Sequence, residues 1–371
     1  MKADVMNKKK EPLFHVVKRD DLSLGKSIGI RAAAIVLALI LCGIITTITT
    51  GISPIEVYQS MFQGAFGSGR KTWITFQNLA ILQLIAVALT PAFKMKFWNV
   101  GGEGQVLMGG LAAAGCMICL GEKVPNALLI LLMIAASVLA GGLWGWIPGF
   151  FKSKWNTNET LSTLMMNYIA TQLVAFYTVV WEVPKGSGKI GIINQNSNAG
   201  LLPQIFGSKY LLTIIVAVVI TVVMYFYLKF QKMGYEISVV GESPNTAKYV
   251  GIRVPHVIRR TMFLSGALCG IVGLLLVGGI NHTITTTVVG GQGFTGVLVS
   301  WMSKFNPFIM GLSSFLIVFL ERGAGEISTN FGLNQSFSDI LTGIILFCII
   351  GCEFFAAYKL QFRKKTEEEG K

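Results

Sequence analysis

The sequence predicts an all-α, polytopic membrane protein with about ten membrane helices, some of them short or broken. Hydrophobic residues make up 53% of the 371 residues and charged residues only 13%, whereas soluble domains carry about 25% charged residues. The mean hydropathy is +0.62, and several continuous apolar stretches reach the roughly 20 residues that a helix needs to cross a bilayer. These stretches do not alternate polar and apolar residues, which disfavours a transmembrane β-barrel.

Ten membrane elements make up a transmembrane domain, residues 28–358, between polar tails at residues 1–27 and 359–371. Their ends are accurate to a few residues. The two elements on either side of Lys304 are also compatible with one broken helix. The predicted elements are Ile28–Thr50, Trp73–Phe93, Asn99–Leu120, Ala127–Phe151, Leu161–Trp181, Tyr210–Leu228, Phe263–Ile280, Phe294–Met302, Pro307–Leu320 and Ile340–Tyr358.

The net charge of +13 is explained by membrane topology rather than by a nucleic-acid partner, because the basic residues cluster between the apolar stretches. With the N-terminus inside and the elements alternating, 24 of the 31 Lys and Arg residues fall on the cytoplasmic side. The others are Arg70, Lys71, Lys123, Lys185, Lys189, Lys209 and Arg322. We therefore expect both termini in the cytoplasm and no cleaved signal peptide.

No pattern for catalysis, metal binding or nucleotide hydrolysis is recognisable in the sequence. The three histidines fall in separate tails or loops, with His282 at an outer mouth. Cys116 and Cys119 have a metal-like spacing but lack partner ligands, so packing is the better interpretation. Gly25-Lys26-Ser27 resembles the end of a phosphate-binding loop, but Asp20 stands where that loop has Gly. We expect no enzyme activity, cofactor or metal, and any ATP hydrolysis would belong to another subunit.

A glycine-rich motif occurs twice, at the third and the eighth element. The first copy is Val100-Gly101-Gly102-Glu103-Gly104 and the second is Val289-Gly290-Gly291-Gln292-Gly293. The third element runs outward and the eighth inward, so the motifs occupy matching positions of two inverted halves of five elements. Such glycine-interrupted segments indicate a transport pathway. The alternative is coincidence, since the chain has 42 glycines and the match is short.

Several polar side chains lie within predicted spans, where they are costly and often functional. Glu103 is the main candidate, because a lone carboxylate in lipid costs ~2.5–3.5 kcal/mol or more. Three roles are open for it: a cap on its own helix, part of a gate, or direct contact with solute. Asn99 and Gln105 share this ambiguity. The amides of Asn78 and Asn167 either bond neighbouring helices or meet the solute.

The longest predicted cytoplasmic loop, residues 231–260, holds a second distinctive pattern. Ser243 is a suitable N-cap, Pro244 suits the first helical position and Gly251 suits the stop. A short helix over about Pro244–Val250 is therefore predicted. A helix this short is marginal alone and needs packing or a partner to hold it. The segment is either an ordinary loop or a docking helix that receives motion from a motor subunit.

Three segments resemble the membrane permeases of ABC importers, in the subgroup that handles nucleosides, ribose-like sugars and branched-chain amino acids. They are F-W-N-V-G-G-E-G-Q (97–105), N-E-T-L-S-T-L-M-M-N-Y-I-A (158–170) and G-Y-E-I-S-V-V-G-E-S-P-N-T-A-K-Y-V-G-I (234–252). The first two are most similar to the nucleoside and simple-sugar branch, and the resemblance extends over nearly all of the chain. Many members have an acid after Gly-Phe where this chain has Thr295, so a role of that acid does not transfer.

The resemblance implies a solute pathway shared with a second permease, often a different chain, and two ATPase subunits that dock from the cytoplasm. It also implies a plasma membrane of the bacterial type and an extracytoplasmic solute-binding protein, often a lipoprotein in Gram-positive cells, that delivers the solute. The residues it suggests for ATPase coupling are Gly234, Tyr235, Glu236, Gly241, Glu242, Pro244, Asn245, Ala247, Tyr249 and Gly251. The candidates for the solute pathway are Asn78, Asn99, Glu103, Gln105, Asn167, Gln292 and Phe294.

The leading functional hypothesis is an ATP-driven importer permease for nucleosides. Ribose or another simple sugar is the close alternative. Trp98 is interpreted as part of an interfacial aromatic belt, with stacking on a base as the alternative. A more distant hypothesis is a secondary transporter driven by protons or sodium, which needs an ionisable relay in the membrane. Glu103 alone is weak evidence for such a relay. A secondary transporter would also leave the predicted docking helix in the cytoplasmic loop without a role.

Overall fold

The computed structural model describes residues 14–18 and 24–362, which form thirteen α-helices and two short strands. The strands are β1 (Phe14–Lys18) and β2 (Tyr358–Phe362). The helices are α1 (Leu24–Thr50), α2 (Pro54–Phe66), α3 (Gly69–Lys94), α4 (Gly102–Leu120), α5 (Asn126–Trp155), α6 (Glu159–Trp181), α7 (Leu211–Phe230), α8 (Lys232–Glu242), α9 (Pro244–Tyr249), α10 (Val254–Leu274), α11 (Gln292–Met302), α12 (Pro307–Asn330) and α13 (Gln335–Ala357). A π-helical segment, Leu275–Asn281, continues α10.

Seven of the described helices are long and apolar enough to cross a membrane, and an eighth span arises if the bent pair of α1 and α2 counts as one. The seven are α3, α4, α5, α6, α7, α10 with its π-helical continuation, and α12. This confirms an all-α, polytopic membrane protein, to which the strands add one short pair. Each of the ten predicted elements overlaps a helix, but the count of ten spans and the inverted repeat stay predictions.

Of the residues that the structure describes, those up to 64 and those from 320 onward form one compact unit. In its described part, α1 packs against α13, and β1 pairs with β2 in antiparallel fashion. The segment that precedes α1 therefore lies beside the segment that follows α13. Neither this pairing nor α2 was predicted from the sequence. Gly51, with φ of 72°, follows the end of α1, and α2 begins at Pro54 after a bend of 113° between the two helices.

Residues 65–319 form the second unit, in which α3 is the most deeply buried of the candidate spans. Helices α4, α5 and α10 pack closely on one another. Glycines at these contacts let the backbones approach. A Cβ on Gly145 of α5 would lie 2.6 Å from the carbonyl oxygen of Met262 in α10, and a Cβ on Gly266 would meet the backbone of Gly141. Small residues at helix contacts give membrane helices their close van der Waals packing.

Two regions of this unit differ from the predicted elements. The predicted span Phe263–Ile280 begins earlier, because Pro255 suits a helix start and α10 already begins at Val254. The first turns of α10 are charged, so hydropathy alone does not detect them. The predicted loop 231–260 contains the further helix α8, whose mixed polarity hid it. Finally, α11 and α12 are separate helices joined by a turn in which Lys304 takes a φ of 47°.

Candidate functional site

The two glycine-rich motifs meet in the structure. Glu103, in the first turn of α4, directs its carboxylate at the N-terminus of α11 rather than at N–H groups of its own helix. The Gly291 N–H donates to Glu103 Oε1 at 2.9 Å, and the Gly293 N–H donates to Oε2 at 2.8 Å. The first N–H groups of a helix have no partner within the helix, so an acceptor here satisfies donors that would otherwise be unpaired. Glu103 therefore caps the other motif's helix.

Glycine is required at this junction for two reasons. Gly290 and Gly291 have φ of 64° and 78°, the left-handed region that favours glycine. The backbones of α4 and α11 also approach so closely that a Cβ on Gly293 would lie 2.7 Å from the Cα of Glu103. Any side chain at Gly293 would force the two helix ends apart. The repeated glycines thus make the contact between the motifs possible.

Helix α6 holds the N-terminus of α4 from a third direction. Asn167 Oδ1 accepts from the Gly104 N–H at 2.9 Å, and Asn167 Nδ2 donates to the Val100 carbonyl at 3.0 Å. One helical turn earlier, Thr163 Oγ1 accepts from the Val100 N–H at 3.3 Å. Asn167 was predicted either to bond a neighbouring helix or to meet the solute. In the structure, its amide oxygen and its amide nitrogen both form hydrogen bonds with the backbone at the start of α4.

A buried amide pair supports the same helix end. Asn99 is fully buried, and its Oδ1 accepts from the Gly101 N–H and from Gln105 Nε2, both at 3.1 Å. Its Nδ2 donates to the hydroxyl of Ser265 in α10 at 3.1 Å. Buried polar groups are stable only when they are paired, and here the pairs join α4 to α10. We call Asn99, Glu103, Gln105, Asn167 and the facing residues Gly291–Gly293 the glycine junction.

The other three predicted pathway residues, Gln292, Phe294 and Asn78, are not held by the hydrogen bonds described above. The side-chain oxygen of Gln292 is buried without a hydrogen-bond partner, and Phe294 is 43% exposed on α11. Asn78 is half-buried on α3 and takes no part in the bonds of the glycine junction. Direct contact of any of the seven residues with solute stays a prediction.

Sequence analysis missed two members of the network, Thr163 and Ser265. Thr163 lies one turn before Asn167 in the Asn158–Ala170 motif, and this spacing puts both on one helix face. That spacing was a usable signal. Ser265 is a single hydroxyl within an apolar, glycine-rich helix, and only the packing of α10 on α4 brings it to Asn99.

On the side where α3 ends, α8 and α9 form a second feature, the helix pair. The predicted short helix is confirmed as α9, and the Ser243 hydroxyl accepts from the Thr246 N–H at 3.2 Å. Arg260 of α10 holds Glu236 of α8 at 3.0 Å. A Cβ on Gly241 would meet the carbonyl oxygen of Lys94, so α8 rests directly on the end of α3.

The helix pair borders a cavity of about 450 Å³. On its other walls lie the α3–α4 turn, including Lys96 and Phe97, and the ion pair of Lys152 with Glu159 at 2.7 Å. The helix pair is therefore adjacent to the turn that leads into Asn99 and the glycine junction. Of the ten predicted coupling residues, those with exposed side chains or backbone are Tyr235, Glu242, Pro244, Asn245, Tyr249 and Gly251. Gly234, Gly241 and Ala247 are buried, and Glu236 is half-buried.

Seven candidate spans and a junction of two helix N-termini with glycine-rich motifs are typical of membrane transport proteins. The chain belongs to the family of the branched-chain amino acid transport system permease component, whose model matches residues 74–350. No solved structure matches the chain.

Three relatives match most of the chain. It is 29% identical over 317 residues to the guanosine ABC transporter permease protein NupP of Bacillus subtilis, covering 84% of this chain and 90% of the relative. It is 26% identical to the nucleoside ABC transporter permease protein NupB of Lactococcus lactis, covering 83% and 87%. It is 24% identical to the glucose ABC transporter permease protein TsgB13 of Haloferax volcanii, covering 88% of each.

Proposed function

We propose that this chain is the transmembrane permease subunit of an ATP-driven importer of nucleosides. The observation on which this rests is the glycine junction, where two helix ends from opposite halves of the family match meet inside the membrane domain. Discontinuous helices whose N-termini meet at a common site are typical of transport pathways. The nucleoside assignment is supported by the guanosine and nucleoside permeases among the relatives.

A simple sugar is the second candidate solute, because the glucose permease of Haloferax volcanii matches as much of the chain. Competition separates the two candidates. Uptake of labelled adenosine is measured in cells with and without this chain, against excess guanosine, ribose or glucose. We expect uptake to require the chain and to be suppressed by guanosine but not by either sugar. Uptake that a sugar suppresses and guanosine does not would overturn the nucleoside assignment.

An ion-coupled transporter is a weaker alternative. Such a mechanism needs an ionisable group in the membrane that is free to exchange protons or sodium. Both oxygens of Glu103 accept backbone N–H groups, so this carboxylate is already in use. Adenosine uptake that collapses with a protonophore while cellular ATP stays high would favour the ion-coupled mechanism over the proposed one.

The helix pair is proposed to dock a separate ATPase subunit. Tyr249 is 92% exposed and Tyr235 is 64% exposed, which makes them available to a partner. The opposite side of the pair is fixed: Ala247 is fully buried, and Gly241 rests on Lys94 at the end of α3. Motion of a docked subunit would thus reach the α3–α4 turn directly, besides reaching α10 through Arg260.

The double substitution Glu242→Lys with Tyr249→Ala tests this coupling. We expect solute-stimulated ATPase activity and uptake to separate, with the complex still present in the membrane. The matched control is Glu122→Lys with Phe206→Ala, which changes an exposed acid and an exposed aromatic residue in the predicted outer loops. If the first pair leaves uptake normal, or the control impairs it equally, the coupling role is wrong.

The complete importer is proposed to contain a second permease, ATPase subunits and an extracytoplasmic solute-binding lipoprotein, in a plasma membrane of the bacterial type. Both termini are proposed to be cytoplasmic. The pairing of β1 with β2 supports a common side for the two ends, and the distribution of Lys and Arg supports the cytoplasmic side. Reporter fusions at each terminus that fluoresce only in the cytoplasm test this orientation, and a dark fusion at either end would contradict it.

A further inference from the structure

Two tryptophans stack on each other at the end of α11. Trp98, in the α3–α4 turn, and Trp301, in the last turn of α11, have ring centroids 4.9 Å apart and planes inclined by 17°. They remain 46% and 42% exposed. A near-parallel pair of large, half-exposed aromatic rings offers a surface on which a third flat ring can stack.

The pair is held rigidly from behind. Phe93 is buried and meets Trp98 edge-on at 6.3 Å and Trp301 at 5.8 Å. Phe305 packs against Trp301 at 5.3 Å, with the planes inclined by 67°. Edge-to-face contacts of this kind fix ring orientation. The tryptophans are therefore preorganised, and a ligand stacked on them would not have to order them first.

Their position connects them to the glycine junction. Trp98 directly precedes Asn99, and Trp301 lies on the helix whose N-terminus Glu103 caps. Phe294, 43% exposed, lies seven residues before Trp301 on α11. Seven residues are two helical turns, so both rings lie on one face about 10 Å apart.

We propose that the Trp98–Trp301 pair is a stacking site for the planar heterocyclic base of the transported solute. The proposal rests on the proposed function and narrows the solute to a molecule with an aromatic ring system. Stacking on an aromatic side chain discriminates little between bases, because every base has a π-face. Such a site therefore suits a pathway that carries several nucleosides.

An interfacial belt is the competing explanation, and Trp155 shows what a belt residue looks like in this chain. It is 58% exposed at the end of α5, and the Lys154 ammonium lies 4.9 Å from its ring centroid. Trp155 thus pairs an exposed ring with a cation, as expected where a membrane meets water. It is the matched control for Trp98.

The test uses the complete importer and compares Trp98→Leu, Trp98→Phe and Trp155→Leu. Leucine keeps the apolar character and removes the ring, whereas phenylalanine keeps a ring. We expect Trp98→Leu to lower the initial rate of adenosine uptake about tenfold at unchanged amounts of complex, and Trp98→Phe to restore most of it. We also expect a smaller loss for uridine, because a pyrimidine presents less area for stacking.

The outcomes separate this site from the proposed function. If the unaltered complex carries no nucleoside, the proposed function fails and the stacking site with it. If it carries nucleosides but Trp98→Leu behaves like Trp155→Leu, only the stacking site fails. An equal loss of adenosine and uridine uptake, without rescue by Trp98→Phe, would also overturn the site, because a purely structural role predicts that pattern.

Discussion

The carboxylate of Glu103 should be the strongest single determinant of the glycine junction, and Glu103→Gln tests this directly. The substitution keeps the shape of the side chain but replaces one acceptor oxygen by an NH₂ donor. One of the two N–H groups, of Gly291 or Gly293, then faces another donor instead of an acceptor. The change removes the negative charge and one hydrogen bond together.

The magnitude follows from the two bonds of 2.9 and 2.8 Å. A hydrogen bond to a charged group contributes ~1.5–3 kcal/mol, and a buried N–H left unpaired costs ~1–3 kcal/mol. The lower desolvation cost of an amide offsets part of this loss. We therefore expect Glu103→Gln to destabilise the junction by about 2–4 kcal/mol. For a chain of 371 residues, that corresponds to a fall on the order of 3–5 °C in the unfolding midpoint.

The chain contains its own matched control. In the loop after α6, the Glu182 carboxylate accepts the Gly186 N–H at 2.7 Å and the Gly188 N–H at 2.8 Å, so it makes the same kind of bidentate contact. This loop is exposed, and water replaces a lost bond there. Glu182→Gln should leave the midpoint nearly unchanged.

The assay is thermal unfolding of the purified complex in detergent, followed by nucleoside uptake in cells that carry equal amounts of each variant. Glu103→Gln should lower both the midpoint and the uptake, and Glu182→Gln neither. If Glu103→Gln unfolds with the unaltered protein, or no earlier than Glu182→Gln, the carboxylate does not hold the two helix ends together and the junction needs another explanation.

Three further predictions concern residues of the second unit, 65–319. Gly266→Ala should lower the unfolding midpoint by several degrees, because its Cβ would meet the α5 backbone, whereas Gly311→Ala, with open space around it in α12, should be neutral or mildly stabilising by ~0.5–1 kcal/mol. Burial and the neighbouring Lys209 lower the pKa of His282 below 6.5, so the free energy of unfolding should fall as the pH drops from 6.5 through that lower pKa. The variant His282→Asn should remove this pH dependence, because asparagine tolerates the local φ of 53° and does not titrate. Thermal unfolding at pH 5 and pH 7.5 measures the difference. Adding Gln292→Glu to Glu103→Gln should recover part of the fall in the unfolding midpoint, because it returns one negative charge to the helix N-termini of the glycine junction. A midpoint in the double variant that is no higher than in Glu103→Gln would contradict this role of the charge.

Local signals in the sequence were sufficient for the parts of the fold that depend on neighbouring residues. Ser243 and Pro244 predicted α9 because an N-cap and a first-turn proline act within one helical turn. The apolar stretches predicted the spans for the same reason. By contrast, α8 has no apolar run and no side-chain cap, and it forms because Gly234 and Gly241 fit against α7 and α3.

The candidate site was identified as residues but not as contacts. The glycine motifs, Glu103 and Asn167 stand out in the sequence because they are polar or flexible groups in apolar segments. The partner of Glu103, however, lies 188 residues further along the chain at Gly291. A helix can be capped by its own residues or by a distant acceptor, and only the packing of α4 against α11 decides between them.

The difference between the two glycine motifs follows from charge balance at this contact. Each helix N-terminus carries roughly half of a positive elementary charge, and the junction brings the N-termini of α4 and α11 together. A single carboxylate within reach of both ends neutralises about one positive charge, which is their sum. A second acid in place of Gln292 would add an unbalanced negative charge at short range, and no acid at all would leave two like ends facing each other in a low dielectric. One glutamate and one glutamine in otherwise matching motifs is therefore the arrangement that electrostatics favours.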